Sequence, residues 1–297
     1  MQIGFIGLGN MGGPMAERLA GAGGDVLAFD IDGAALQRVV EAGAEPATSV
    51  ETLARRSDAV LASLPSIAVS AEVAQAVADV AADDDRPRIF VEMSTIGKQA
   101  AQAQSALLSG AGITMLDAPV SGGGEAARRG SLTIMASGPS AAYEQMRSTL
   151  ERIGKRVFYV GATPGLAQAM KLMNNICALG QIALALEACS YGLKSGLDPK
   201  VMMDVWNVSS GRSGASRFVV PEVLSGRYQA GASMEIAYKD ANLCLNEAQH
   251  EGVPMWLAAN IAQMWRHGMM EVGKDADMSH LADLFERWAD VTMKDTP

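Results

Sequence analysis

Lys171 sits in the stretch GLAQAMKLMNN, residues 165–175, at the head of a segment so rich in Leu, Ala, Ile and Met that it should form a buried helix. An ammonium in an apolar helix is costly unless solvent or a partner compensates it, so this lysine either reaches water or works in a cleft. On a helix, Lys171, Asn174 and Asn175 fall at i, i+3 and i+4 and project from one face. Such a cluster is either a satisfied polar patch or the seat of a partly desolvated lysine with a pKa lowered toward neutrality, fit for general acid–base chemistry. The cluster alone leaves both readings open.

Two further motifs carry chemistry of their own. In GLGNMG the glycines Gly7, Gly9 and Gly12 occupy the GxGxxG positions, with Leu8, Asn10 and Met11 between them, after the strand-like QIGFI and before the helical MGGPMAERLA. In that context Gly7 allows a tight turn, Gly9 lets backbone approach a pyrophosphate, and Gly12 lets helix and strand pack closely, with the anion at the helix N-terminus. Asp30 ends the next strand, 21 positions after Gly9, where a carboxylate accepts hydrogen bonds from ribose hydroxyls. It would repel a 2′-phosphate, and Ile31 and Asp32 follow it rather than an arginine, so NAD is expected in preference to NADP. The third motif, DAPVSGGGEAARRGSLTIMASG over residues 117–138, places Ser121, Gly122 and Gly123 just after a strand end. Successive N–H groups and a hydroxyl there make a nest suited to a carboxylate, although a flexible glycine-rich loop has the same composition.

The elements that must position these groups are read from periodicity. Before residue 161, strand-like runs (QIGFIG, DVLAFD, DAVLASL, RIFVEM, ITMLDAPV, LTIMASG, RVFYVG) alternate with helical stretches, the pattern of a parallel α/β sheet. After Gly161 the strand signal fades, and residues 166–195, 199–208, 234–251 and 255–270 carry helical periodicity. The expectation is a Rossmann domain over 1–161 followed by an all-α domain over 162–297, consistent with a chain of 297 residues.

Composition excludes several function classes. A formal net charge of −9 without a basic patch opposes nucleic acid and acidic membrane surfaces as partners. The three cysteines form no CxxC pair and suit reduced thiols, and the three histidines lack zinc-type spacing, so no metal site is expected. The N-terminus has no basic region before its apolar run, and the most apolar region, 176–193, contains Gln181 and Glu187. Neither a signal peptide nor a membrane span is therefore expected, and a cytoplasmic location is.

Taken in order, GFIGLGNMGGPMAERL, MST at 93–95, DAPVSGG at 117–123, Lys171 with Asn174 and Asn175, and YKDANL at 238–243 resemble the β-hydroxyacid dehydrogenases, which include 3-hydroxyisobutyrate dehydrogenase, tartronate semialdehyde reductase and 2-(hydroxymethyl)glutarate dehydrogenase. The resemblance implies a Rossmann domain joined by one long helix to an all-helical domain. It implies that Ser121, Gly122 and Gly123 hold the substrate carboxylate, that Lys171 is the general acid/base, and that Asn175 binds substrate or orients the lysine. It further implies that Thr95 and Lys239 contact the cofactor near the nicotinamide, that Asp240 lies near the catalytic lysine, and that Ser63, Leu64 and Pro65 lie under the adenosine and ribose. The implied activity is NAD-dependent oxidation of a small β-hydroxyacid to its semialdehyde or ketoacid, or the reverse, in a homodimer or homotetramer.

The departures from the family pattern concern the substrate. Ala167 and Ala126 stand where relatives often carry glycine, and Ala232, eight residues before Asp240, stands where many place a phenylalanine, suggesting a roomier pocket. The run SSGRSGASR at 209–217 resembles the hydroxymethylglutarate enzymes, and Arg212 or Arg217 is a candidate for a second carboxylate. An imine reductase on the same scaffold and a non-catalytic cofactor-binding scaffold are the competing readings, and the presence of Lys171 opposes both. The stretch WLAANIAQMWRHGMM fits either an apolar subunit interface or internal core.

Overall fold

A computed structural model of the chain describes residues 1–84 and 87–294, so the last three residues of the expected helical domain lie outside the described part. The chain divides into two compact units, Met1–Lys171 and Leu172–Pro297. The sequence placed a boundary after Gly161; the compact units divide ten residues later, inside a helix.

The first unit alternates strand and helix: β1 (Ile3–Ile6), α1 (Gly12–Gly21), β2 (Val26–Phe29), α2 (Gly33–Glu41), β3 (Glu45–Pro46), α3 (Val50–Arg56), β4 (Ala59–Ala62), α4 (Ile67–Asp84), β5 (Ile89–Glu92), α5 (Lys98–Gly110) and β6 (Thr114–Asp117). It continues through β7 (Val120–Ser121), α6 (Gly123–Arg129), β8 (Leu132–Ser137), α7 (Ser140–Ile153) and β9 (Gly154–Gly161). The first six strands lie in the order β3-β2-β1-β4-β5-β6, all parallel, the doubly wound dinucleotide-binding order. Strand alternation sorts the apolar residues onto two faces. Phe5, Leu61 and Val91 pack with Met15, Leu19 and Met146 from α1 and α7, whereas Ile6, Val60 and Phe90 pack with Leu53, Val77 and Leu108 from α3, α4 and α5.

The sheet is not wholly parallel, which corrects the expectation from alternation alone. β8 runs antiparallel to β6 and β7, and β9 returns parallel to β8. Only residues 122–131 connect β7 to β8, and a parallel crossover needs about a dozen residues or more. The short strands β3 and β7 escaped notice because a two-residue strand has no period to read.

Helix α8 (Leu166–Lys194) runs from the first unit into the second. It is long and apolar enough to cross a bilayer by length and composition, which residues 176–193 alone did not suggest. Half of its most apolar window is nevertheless buried in the fold, and Leu172, Leu179 and Leu186 join the core of the helical unit, as in the core helix of a folded domain. The unit adds α9 (Pro199–Val208), a π-helical turn (Ala215–Val219), α10 (Val220–Leu224), α11 (Met234–His250), α12 (Trp256–Val272), a 3-10 turn (Met278–Leu281) and α13 (Ala282–Ala289). Asp198 and Ser233 start α9 and α11 by accepting the N–H groups of Val201 and Ile236 at 2.9 and 3.3 Å. Trp265 is fully buried at the centre of this core, and its indole N–H donates to the Leu179 carbonyl at 3.3 Å.

Candidate active site

The glycine turn between β1 and α1 has the geometry its sequence requires. Gly7 has φ +87°, and a Cβ there would lie 2.3 Å from the Ser63 carbonyl oxygen; at Gly12 it would lie 1.9 Å from the Gly7 carbonyl oxygen. At Gly9, by contrast, a Cβ would meet nothing within 4 Å, so the backbone faces open space. Helix α1 has no side-chain cap at Met11; its Gly13 N–H donates to the Gly9 carbonyl at 3.0 Å and Pro14 has no N–H, so the first-turn N–H it can offer an anion is that of Gly12. Asp30 closes the turn from the end of β2: its carboxylate accepts the Leu8 N–H at 2.5 Å and the Asp32 N–H at 2.8 Å. Each oxygen keeps a lone pair for a further donor such as a ribose hydroxyl. Asp32, not Asp30, caps α2, through the Ala34 N–H at 2.9 Å. A tight turn, a bare backbone at Gly9 and an acidic strand end fit a dinucleotide.

The loops after β4 and β5 meet beside this turn. Ser63 donates its N–H to the Ile6 carbonyl at 2.9 Å, and Leu64 donates to the Ser94 hydroxyl at 2.7 Å, leaving Pro65 exposed and Thr95 half-buried. Beneath them lie two carboxyl groups at the ends of neighbouring strands, Glu92 and Asp117, paired in register. Glu92 accepts the Ser94 N–H at 2.7 Å and the Ser70 hydroxyl, which itself accepts from the Gln104 amide at 2.7 Å. Burial pushes the Glu92 carboxyl above the usual range; its hydrogen bonds oppose the shift and the charge of Asp117 adds to it. Burial raises Asp117 as well, against the N–H of Gly165, the Ser137 hydroxyl and the N–H of Gln168.

The loop after β7, where a carboxylate nest is expected, is shaped by two glycines in the left-handed region. Gly122 and Gly123 have φ +137° and +72°, and a Cβ at Gly122 would lie 2.7 Å from that of Ala126. Ser121 and Gly123 are half-buried and Gly122 is exposed. A Cβ at Gly124 would lie 3.2 Å from the Asn10 carbonyl oxygen, so this loop packs against the glycine turn.

In the helical unit, Asn175 on α8 donates its amide to the Asp240 carboxylate on α11 at 2.6 Å, and Lys239 forms an ion pair with the other oxygen of Asp240 at 3.0 Å. Asn174 donates to the Asn175 side-chain oxygen at 3.1 Å. Asp240 is buried, and Lys171, one helical turn before Asn175 on the same helix, is only 9% exposed. The expected site residues thus fall into three local groups: the glycine turn with Asp30 and the 63–65 and 94–97 loops, the 121–123 loop, and Asn175 with Lys239 and Asp240. Arg212 and Arg217 are exposed, with Arg217 over the Phe218 ring at 5.9 Å. Ala232 is half-buried, its carbonyl accepting the Met278 N–H at 2.8 Å.

Sequence reasoning missed Glu92, Ser94, Ser137 and Gln168, and quoted Asp117 without assigning it work. A polar residue closing a buried strand, as in IFVE and TMLD, was the available signal.

Fold and turn together define a dinucleotide-binding protein of the doubly wound α/β class. Residues 2–161 match the NAD binding domain of 6-phosphogluconate dehydrogenase, and residues 165–285 match the NAD-binding domain of NADP-dependent 3-hydroxyisobutyrate dehydrogenase. The chain is 33% identical over 295 residues to 2-(hydroxymethyl)glutarate dehydrogenase of Eubacterium barkeri, covering 99% of this chain and 97% of the relative. It is 37% identical to L-threonate dehydrogenase of Cupriavidus necator, covering 89% of each. The structure of a Mycobacterium tuberculosis 3-hydroxyisobutyrate dehydrogenase with L-serine aligns with a TM-score of 0.87 at 28% identity, over 96% of this chain and 99% of that one. The chain belongs to the β-hydroxyacid dehydrogenase family, oxidoreductases that act on the CH–OH group of hydroxyacids with NAD(P).

Proposed function

We propose that the protein interconverts a small β-hydroxyacid of the 3-hydroxyisobutyrate type and its semialdehyde or ketoacid, with NAD as the preferred cofactor and Lys171 as general acid/base. The observation that carries this reading is a lysine almost withdrawn from solvent, one turn before an asparagine fastened to a buried aspartate. NAD, when bound, accepts the hydride leaving the hydroxyl-bearing carbon. The residues of the chain do the rest. Ser121, Gly122 and Gly123 hold the substrate carboxylate with backbone N–H groups and a hydroxyl. Lys171 takes the hydroxyl proton at Nζ, or returns it in the reverse direction, and as an ammonium it stabilises the developing alkoxide. Asn175, its amide fixed by Asp240 and Asn174, retains one N–H for substrate.

On the cofactor side, Gly7, Gly9 and Gly12 with Leu8, Asn10 and Met11 receive the pyrophosphate and Asp30 the ribose. Ser63, Leu64 and Pro65 would hold the adenosine end of a bound NAD, and Thr95 and Lys239 would serve its nicotinamide end. Asp30 favours NAD because no arginine follows it to receive a 2′-phosphate. NADH formation at 340 nm across 3-hydroxyisobutyrate, L-threonate, glycerate, serine, 3-hydroxypropionate and 2-(hydroxymethyl)glutarate tests the reading, with NADP and Lys171→Ala in parallel. Lysine-dependent turnover with NAD is expected. Turnover with NADP alone would overturn the role of Asp30, and turnover indifferent to the lysine would overturn its role.

A further inference from the structure

We infer that Asp117 is a positioning residue: as a cap supplied from another part of the fold, it bolts the first turn of α8 to the carboxyl end of β6 and so fixes where Lys171 stands. The inference rests on the reading of Lys171 as the acid/base.

A helix start leaves N–H groups that need partners, and most helices draw them from a side chain just before the first turn. At this place α8 has Gly165, which has no side chain to offer. The carboxylate comes instead from 48 positions away: Asp117 accepts the Gly165 N–H at 2.8 Å through one oxygen and the Gln168 N–H at 3.0 Å through the other. Ser137, at the end of the neighbouring strand β8, donates its hydroxyl to Asp117 at 2.7 Å and accepts the Ala167 N–H at 2.8 Å. Two strand ends therefore hold three of the four N–H donors over residues 165–168, those of Gly165, Ala167 and Gln168.

The Gln168 side chain then extends the hold sideways. Its carbonyl oxygen accepts the N–H groups of Ile96 and Gly97 at 3.0 and 3.2 Å, and its amide donates to the Ser94 carbonyl at 2.9 Å. The loop bearing Thr95 and the turn before Lys171 thus hang on the same residue. Asp117, Ser137 and Gln168 are all fully buried. A buried carboxyl is an expensive way to start a helix, but position 165 cannot supply the cap itself: Gly165 is buried with φ +93°, and a Cβ there would lie 3.0 Å from the Lys98 carbonyl oxygen. What the arrangement adds is a fixed distance from sheet to helix, three residues ahead of Lys171, and catalytic groups tolerate little displacement.

The test is a double-mutant cycle on the full chain: Asp117→Asn, Lys171→Ala and the pair, with NAD and whichever hydroxyacid responds, using single turnovers at high enzyme concentration for the slow variants. Asp117→Asn is expected to lower kcat on the order of 10- to 100-fold, as losses of an orienting partner do elsewhere. KM for the hydroxyacid and the NADH Kd from fluorescence should stay within about threefold, and the pair should be no slower than Lys171→Ala alone. A wild-type kcat in Asp117→Asn, or losses that multiply in the pair, would overturn the proposal. Should Lys171→Ala itself leave turnover intact, the reading of the lysine fails first and the cap loses its object. If Asp117→Asn does not fold, Ser137→Ala, which deletes the bridging hydroxyl, should show the same kcat loss in smaller measure, and an unchanged kcat there would count against the idea.

Discussion

At the residue scale, the candidate site separates groups that announce themselves from groups that do not. Lys171 is conspicuous because a charge in an apolar helix violates the local pattern. Its truncation to alanine should lower kcat by about two to four orders of magnitude, the usual weight of a general acid/base. The NADH Kd should hold, because no part of the dinucleotide depends on it; stopped-flow turnover and fluorescence titration check the two halves. Gly7, Gly9, Gly12 and Asp30 were legible for a related reason: each answers a backbone or hydroxyl demand set by near neighbours in sequence. Asp117, Ser137 and Gln168 were not, because their partners lie 20 to 74 positions away and only the folded sheet brings them together. Nothing in LDAP or GLAQAM says that one caps the other.

At the scale of elements, period carried most of the reading. The long helices α8, α9, α11 and α12 were legible because each combines an apolar repeat with a start or stop signal, such as Asp198-Pro199 or Ser233. The antiparallel turn at β8 was not, since direction depends on the length of a connection rather than on the pattern within a strand. That connection also sets a prediction for the loop it contains. Gly122→Ala would force a side chain into φ +137° and toward the Ala126 Cβ at 2.7 Å. Local strain of about 1–3 kcal/mol should distort the nest. Steady-state kinetics should show KM for the hydroxyacid raised on the order of tenfold or more, while NADH binding is retained.

At the scale of the whole molecule, the stretch WLAANIAQMWRHGMM is part core and part surface. Trp265 faces the core of the helical unit, whereas Trp256 and Leu257 are 82% and 80% exposed. They line a groove with Ile176, Cys177 and Met255, and that groove contains none of the polar candidates. Exposed aromatic and aliphatic groups gathered in one place are the mark of an association surface. Light scattering at micromolar concentration should therefore give a dimer or tetramer, and Trp256→Lys should shift it toward the monomer; a clean wild-type monomer would refute the assembly. The span of α8 bears on a different matter, the modularity of the chain. Its composition changes at Gly161, yet the partners of the Asp117 carboxyl at Gly165 and Gln168 lie beyond that point. A gene cut at the change of texture would strip a buried acid of the Gly165 and Gln168 donors, leaving it the Ser137 hydroxyl. The dinucleotide unit ends not where its last strand ends but where its last buried carboxyl is satisfied, and any exchange of helical domains between relatives has to carry the first turns of α8 with the sheet.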